Sequence, residues 1–136
     1  MQNPPPVQTT KSSTGLDENV AALLSYVFTW LSGLVFFLIE KESRLVRFHA
    51  MQALLLGASA IILGIVLWVA WVILLIIATQ ISDVLTMLLN LVFMLLMAAF
   101  YIGLLIAWVL CMIKAYGRQY FKLPLLGNFA EKFSTK

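Results

Sequence analysis

The chain has 136 residues, 62% of them hydrophobic and only 11% charged, with a mean hydropathy of +0.99, whereas ordinary soluble domains carry roughly 25% charged residues. A water-soluble fold of this length still exposes much of its surface, so a majority-apolar chain needs lipid as its solvent. The formal net charge of +3 does not point to nucleic acid: the nine Lys and Arg residues flank apolar runs instead of forming a dense stripe, which suits orientation in a membrane and attraction to anionic headgroups.

Residues 1–16 carry Pro4, Pro5 and Pro6 and a run of Gln, Thr and Ser, a composition that cannot bury enough apolar surface to offset chain entropy and predicts a disordered polar tail. It does not read as a secretory signal, because Lys11 stands alone and is followed by Asp17 and Glu18. Asp17 is placed to cap a first helix.

Three uncharged runs follow, at residues 19–39, 50–78 and 84–113, each longer than the roughly 18 residues that indicate a membrane span. The expected fold is therefore an all-α integral membrane protein: a transmembrane domain over residues 17–113 whose three spans pack as a small bundle, then a basic interfacial segment over residues 114–136. The second and third runs exceed a hydrocarbon core of about 30 Å and must tilt, bend or emerge. Lys41, Arg44 and Arg47 precede the second run, and Lys114, Arg118, Lys122, Lys132 and Lys136 follow the third. Cationic ends are retained in the cytoplasm, so three spans predict a cell-membrane protein with its N-terminus outside and its C-terminus inside.

Small residues recur at helical spacing in each run: Ser25, Thr29 and Ser32; Ala53, Gly57, Ala60 and Gly64; Ala99, Gly103 and Ala107. Between membrane helices such stripes allow close backbone approach, which makes Gly57, Gly64 and Gly103 candidate packing positions. Cys111 lies inside the third run and, as the single cysteine, allows no internal disulfide.

The connection 40–52 mixes charge with aromatic residues. Arg44 and Arg47 are candidates for binding an anionic headgroup or a protein partner, and His49 and Gln52, three apart, share a helix face beside them. A lone histidine without a second His or a Cys cluster is a poor metal site, and no nucleophile or orienting acid stands at recognisable spacing. Neither an enzyme nor a cofactor is expected. In the C-terminal segment, Pro124 and Gly127 mark a turn, Asn128 can cap a short helix, and Phe129 with Phe133 give that helix an apolar face toward the bilayer.

Three stretches carry a family resemblance: Asn19-Val20-Ala21-Ala22-Leu23-Leu24-Ser25-Tyr26, Val46-Arg47-Phe48-His49-Ala50-Met51-Gln52-Ala53, and Tyr120-Phe121-Lys122-Leu123-Pro124-Leu125-Leu126-Gly127-Asn128. They resemble a family of small uncharacterised prokaryotic multi-pass membrane proteins, itself distantly similar to the Tic20-type inner-envelope component of chloroplast protein import. The resemblance implies a multi-pass membrane protein without an established activity. The expected function is a non-enzymatic scaffold or accessory subunit that binds a protein or lipid partner at the cytoplasmic face. The alternative is an oligomeric channel or transporter component related to the plastid translocation proteins. Expected partners are a bilayer with anionic headgroups and a membrane protein or a second copy of the chain, with no nucleic acid.

Overall fold

A computed structural model describes residues 10–135; the part of the expected tail at 1–9 lies outside the described residues, as does Lys136. The named elements of the described chain are all helices: α1 (Glu18–Leu24), α2 (Trp30–Ile39), α3 (Arg44–Thr79), α4 (Asp83–Tyr116) and α5 (Leu126–Ser134). It divides into two units. One comprises residues 10–56 with 110–135, and the other residues 57–109.

In the first unit, residues 10–17 belong to a closed turn instead of continuing a disordered tail. Ser12 N–H donates to Leu16 O at 2.8 Å, Gly15 N–H to Ser12 O at 2.9 Å, and Gly15 takes a φ of +82° that suits a residue without Cβ. Asp17 does occupy the position before α1, but its side chain makes no capping bond.

The run 19–39 is not a single helix. After Leu24 the backbone tightens into successive turns, with Tyr26 N–H donating to Leu23 O and Thr29 N–H to Tyr26 O, and Thr29 adopts a φ of +48° that a β-branched residue enters only under constraint. Hydroxyls hold the break. Ser32 Oγ accepts from Phe28 N–H at 3.0 Å and donates to Ser25 O at 2.7 Å, while Ser25 Oγ donates to Ala21 O. The stripe Ser25, Thr29, Ser32 thus closes a bend rather than lining a helix contact.

The ends of this broken run come back together. Ser43 Oγ donates to Glu18 Oε2 at 2.9 Å, and Ser13 N–H and Oγ donate to the Glu40 carboxylate at 3.0 and 2.7 Å. A continuous helix over 21 residues would hold its ends about 32 Å apart. Instead, α1 and α2 form a hairpin seated on the first turns of α3. Gly33 makes that seat possible: a Cβ there would lie 2.7 Å from both Ala50 O and Leu54 N.

The second unit consists of the remainders of α3 and α4 joined by the short loop 80–82. Both helices are long and apolar enough to cross a membrane, so the expected second and third spans correspond to real long helices. Their surfaces are exposed Leu, Ile, Val and Met, with Ile62 at 63% and Met87 at 75%; at about 25 cal/mol per Å² such a surface is stable only against hydrocarbon. Trp71 stacks on Phe93 with ring centroids 4.8 Å apart. Gly64 and Gly103 hold no helix contact here, since a Cβ added at either meets open space. Gly64 instead borders an open cleft of about 410 Å³ with Ala60, Trp68 and Tyr101.

Candidate functional site

The first three turns of α3 carry the sequence-predicted residues, and helical phase sends them to two different places. His49 and Gln52 turn inward and are fully buried, whereas Arg44 is exposed and Arg47 half-buried.

His49 Nε2 lies 2.8 Å from Gln119 O, and a carbonyl only accepts, so this nitrogen carries the hydrogen. Nδ1 is then the acceptor, and Tyr26 Oη, 3.0 Å away, donates to it. Gln52 Nε2 in turn donates to Tyr26 Oη at 3.0 Å. The order Gln52 to Tyr26 to His49 to Gln119 O is fixed by one carbonyl. Gln52 Nε2 gives its other hydrogen to Phe121 O at 3.0 Å and lies 3.6 Å from Cys111 Sγ, while its Oε1 accepts from Leu123 N–H at 3.2 Å. The non-helical segment 117–123 offers backbone groups that no helix satisfies, and His49 and Gln52 supply their partners. Phe48 packs beside them, 5.4 Å from the Tyr120 ring and 5.1 Å from that of His49. These two residues latch the C-terminal segment to α3.

A second polar centre stands where α2 meets α3. Glu40 is fully buried, and its carboxylate accepts from the N–H groups of Ser13, Glu42 and Ser43 and from Ser13 Oγ. Burial alone would raise its pKa, but these donors outweigh it and hold the carboxyl below its usual value of 4.5. Arg47 crosses the same junction: Nη1 donates to Glu40 O at 2.8 Å and Nε to Ser134 O at 3.2 Å, with the guanidinium 4.7 Å above the centre of the Phe37 ring. Arg47 therefore ties α2 and the end of α5 to α3.

Outside this junction lies a cleft of about 490 Å³ lined by Lys41, Glu42, Arg44, Arg47, Ser134 and Thr135. The Lys41 and Arg44 side chains are exposed and enter no ion pair among the described residues. α5 begins at Leu126, two residues before the expected cap Asn128, and buries Gly127, Ala130 and Ser134. Its opposite face exposes Phe129 and Phe133. Gly127 is needed for the fit, as a Cβ there would stand 2.6 Å from Lys122 Cα.

Of the four predicted binding residues, Arg44 and Arg47 line this cleft. His49 and Gln52 are placed to bind the chain itself. Sequence reasoning did not single out Tyr26, Glu40 or Gly33 as structural centres. A signal was present, because an isolated His and Gln one turn apart at the edge of an apolar run need partners inside the fold. Among the described residues no three His, Cys, Asp or Glu side chains are grouped to hold a metal.

Residues 16–130 match the model of the magnetosome magnetite crystal formation protein family. Two UPF0132 membrane proteins of Methanocaldococcus jannaschii are similar to the chain. One is 40% identical over 91% of this chain and 94% of its own length, the other 32% identical over 88% and 71%. A UPF0132 membrane protein of Archaeoglobus fulgidus is 37% identical over 86% of this chain and 95% of its own. No solved structure matches.

Proposed function

The chain belongs to the UPF0132 membrane protein family and itself matches the magnetosome crystal-formation family model, and from that premise we propose that it is a non-enzymatic membrane scaffold or accessory subunit. Its partner, a protein or a lipid headgroup, is engaged at the cytoplasmic face. The observation that carries this reading is the division of labour in the first unit: the inner polar side chains are consumed by the fold, while Lys41 and Arg44 stay exposed beside a cleft.

The topology proposed with it is multi-pass, with α3 and α4 as the crossing helices and the α1–α2 hairpin entering and leaving on one side. This replaces a third span. The magnetite role named in the family description is a property of that family; here the reading rests on cationic side chains and not on a metal site. A channel or transporter component akin to plastid import proteins remains the rival. It would draw on polar groups such as Asn90, whose amide donates to Thr86 O of its own helix.

The test is a photo-crosslinking residue in place of Lys41 in the full chain in native membranes, with the same probe at lipid-exposed Ile62 as control. A discrete protein adduct, or an adduct enriched in anionic lipid, is expected at position 41 and not at 62. Identical adduct patterns at the two positions would overturn the reading.

A further inference from the structure

We propose that the cleft between the α2–α3 connection and the end of α5 is a phosphate site that holds the headgroup of an anionic membrane lipid. The inference rests on the scaffold reading above and names a ligand for its cationic face. The cleft sets Lys41, Arg44 and Arg47 against the single carboxylate of Glu42, with the hydroxyl-bearing Ser134 and Thr135 on the facing wall. The cations suit an oxyanion, and the exposed Arg44 offers a planar fork for two of its oxygens, while the Ser134 and Thr135 hydroxyls donate to carbonyls of α5. Arg47 is already oriented by Ser134 O and Glu40 O, so that wall is built before any ligand arrives. Binding would order only the side chains of Lys41 and Arg44.

The surroundings favour a lipid over free phosphate. Leu38 and Ile39, 65% and 47% exposed, immediately precede the connection that carries Lys41, and Phe133, 43% exposed, immediately precedes Ser134. These exposed apolar side chains neighbour residues of the cleft in sequence without lining it themselves. A phospholipid meets both demands at once, with its phosphate among the cations and its acyl chains among the exposed apolar side chains nearby.

The full chain, purified in an uncharged detergent, is titrated with short-chain phosphatidylglycerol, with phosphatidylcholine of the same chain length, and with inorganic phosphate. Phosphatidylglycerol is expected to bind tighter than phosphatidylcholine. The double variant Lys41→Ala/Arg44→Ala should weaken it by about tenfold or more, as expected for lost charge-assisted bonds. Glu42→Gln, which removes the opposing carboxylate, should tighten it, an effect that a damaged fold cannot produce. Inorganic phosphate binding as tightly, with the same dependence on the two variants, would support the phosphate site and overturn lipid as its source. Phosphatidylglycerol affinity unchanged in both variants would overturn the proposal. Should that happen while the crosslinks at position 41 persist, the ligand falls and the scaffold stands; loss of both removes the scaffold reading as well.

Discussion

A buried carboxylate is tolerable only where its charge is met, and Glu40 meets it with main-chain donors from two separate segments. Because its folded pKa lies below the unfolded value, the charged form stabilises the fold fully at pH above about 4.5. That contribution disappears as pH falls through the folded pKa, since the neutral acid accepts fewer of these bonds. Thermal unfolding in detergent between pH 7 and pH 3 should show the wild-type chain losing stability on the acid side, while Glu40→Gln starts less stable and loses less. Parallel acid limbs for the two proteins would count against Glu40 as the titrating group. The sequence presented Glu40 as one of two acids in a charged connection and could not tell them apart: Glu42 is exposed and Glu40 buried because only the latter lies at the end of a hairpin that closes over Ser13. His49 and Gln52 were legible as residues of consequence, but not as to what they bind, for the acceptors belong to residues some 70 positions away.

Among elements, the long helices were legible and the hairpin was not. The second and third apolar runs become α3 and α4, because unbroken apolar sequence of that length satisfies its backbone in lipid only as a helix. The first run is just as free of charge, yet a hydroxyl at Ser32 takes up the Phe28 N–H and lets the chain turn at Thr29. Composition does not see such a break, since Ser and Thr are also ordinary helix-packing residues in membranes. The same blindness applies to glycine. Spacing marked Gly64 and Gly103 as contact points, whereas close approach occurs at Gly33, four residues beyond Thr29 but outside the stripe Ser25, Thr29, Ser32. Gly33→Ala should therefore lower the melting temperature markedly, because both atoms its Cβ would strike are backbone and cannot rotate away; overpacking of this kind costs about 1–3 kcal/mol or more. Gly103→Ala should be neutral or raise stability by roughly 0.5–1 kcal/mol through helix propensity. Thermal unfolding of both variants in one detergent checks this, and equal losses would contradict the packing described for α2 on α3.

For the whole molecule, the number of crossings decides where the termini lie, and two lengths bear on it. α2 has 10 residues and reaches about 15 Å, half of a hydrocarbon core near 30 Å. α3 and α4, with 36 and 34 residues, each reach over 50 Å. Counting apolar runs gives three crossings and isolates Lys11 from the other basic residues. Folding the first run back on itself gives two, and then every Lys and Arg of the chain falls on one side, with Asp83 the only charge in residues 57–109. That distribution satisfies the retention of cations in the cytoplasm without exception. Single cysteines at Thr10, Gln80 and Lys132 in a Cys111→Ala background distinguish the alternatives, because all three positions are exposed. A membrane-impermeant maleimide added to intact cells should label Gln80→Cys alone, and Thr10→Cys and Lys132→Cys should react only after the membrane is opened. Labelling of Thr10→Cys from outside would restore an odd number of crossings, and with it a first run that spans the bilayer despite the turn at Thr29.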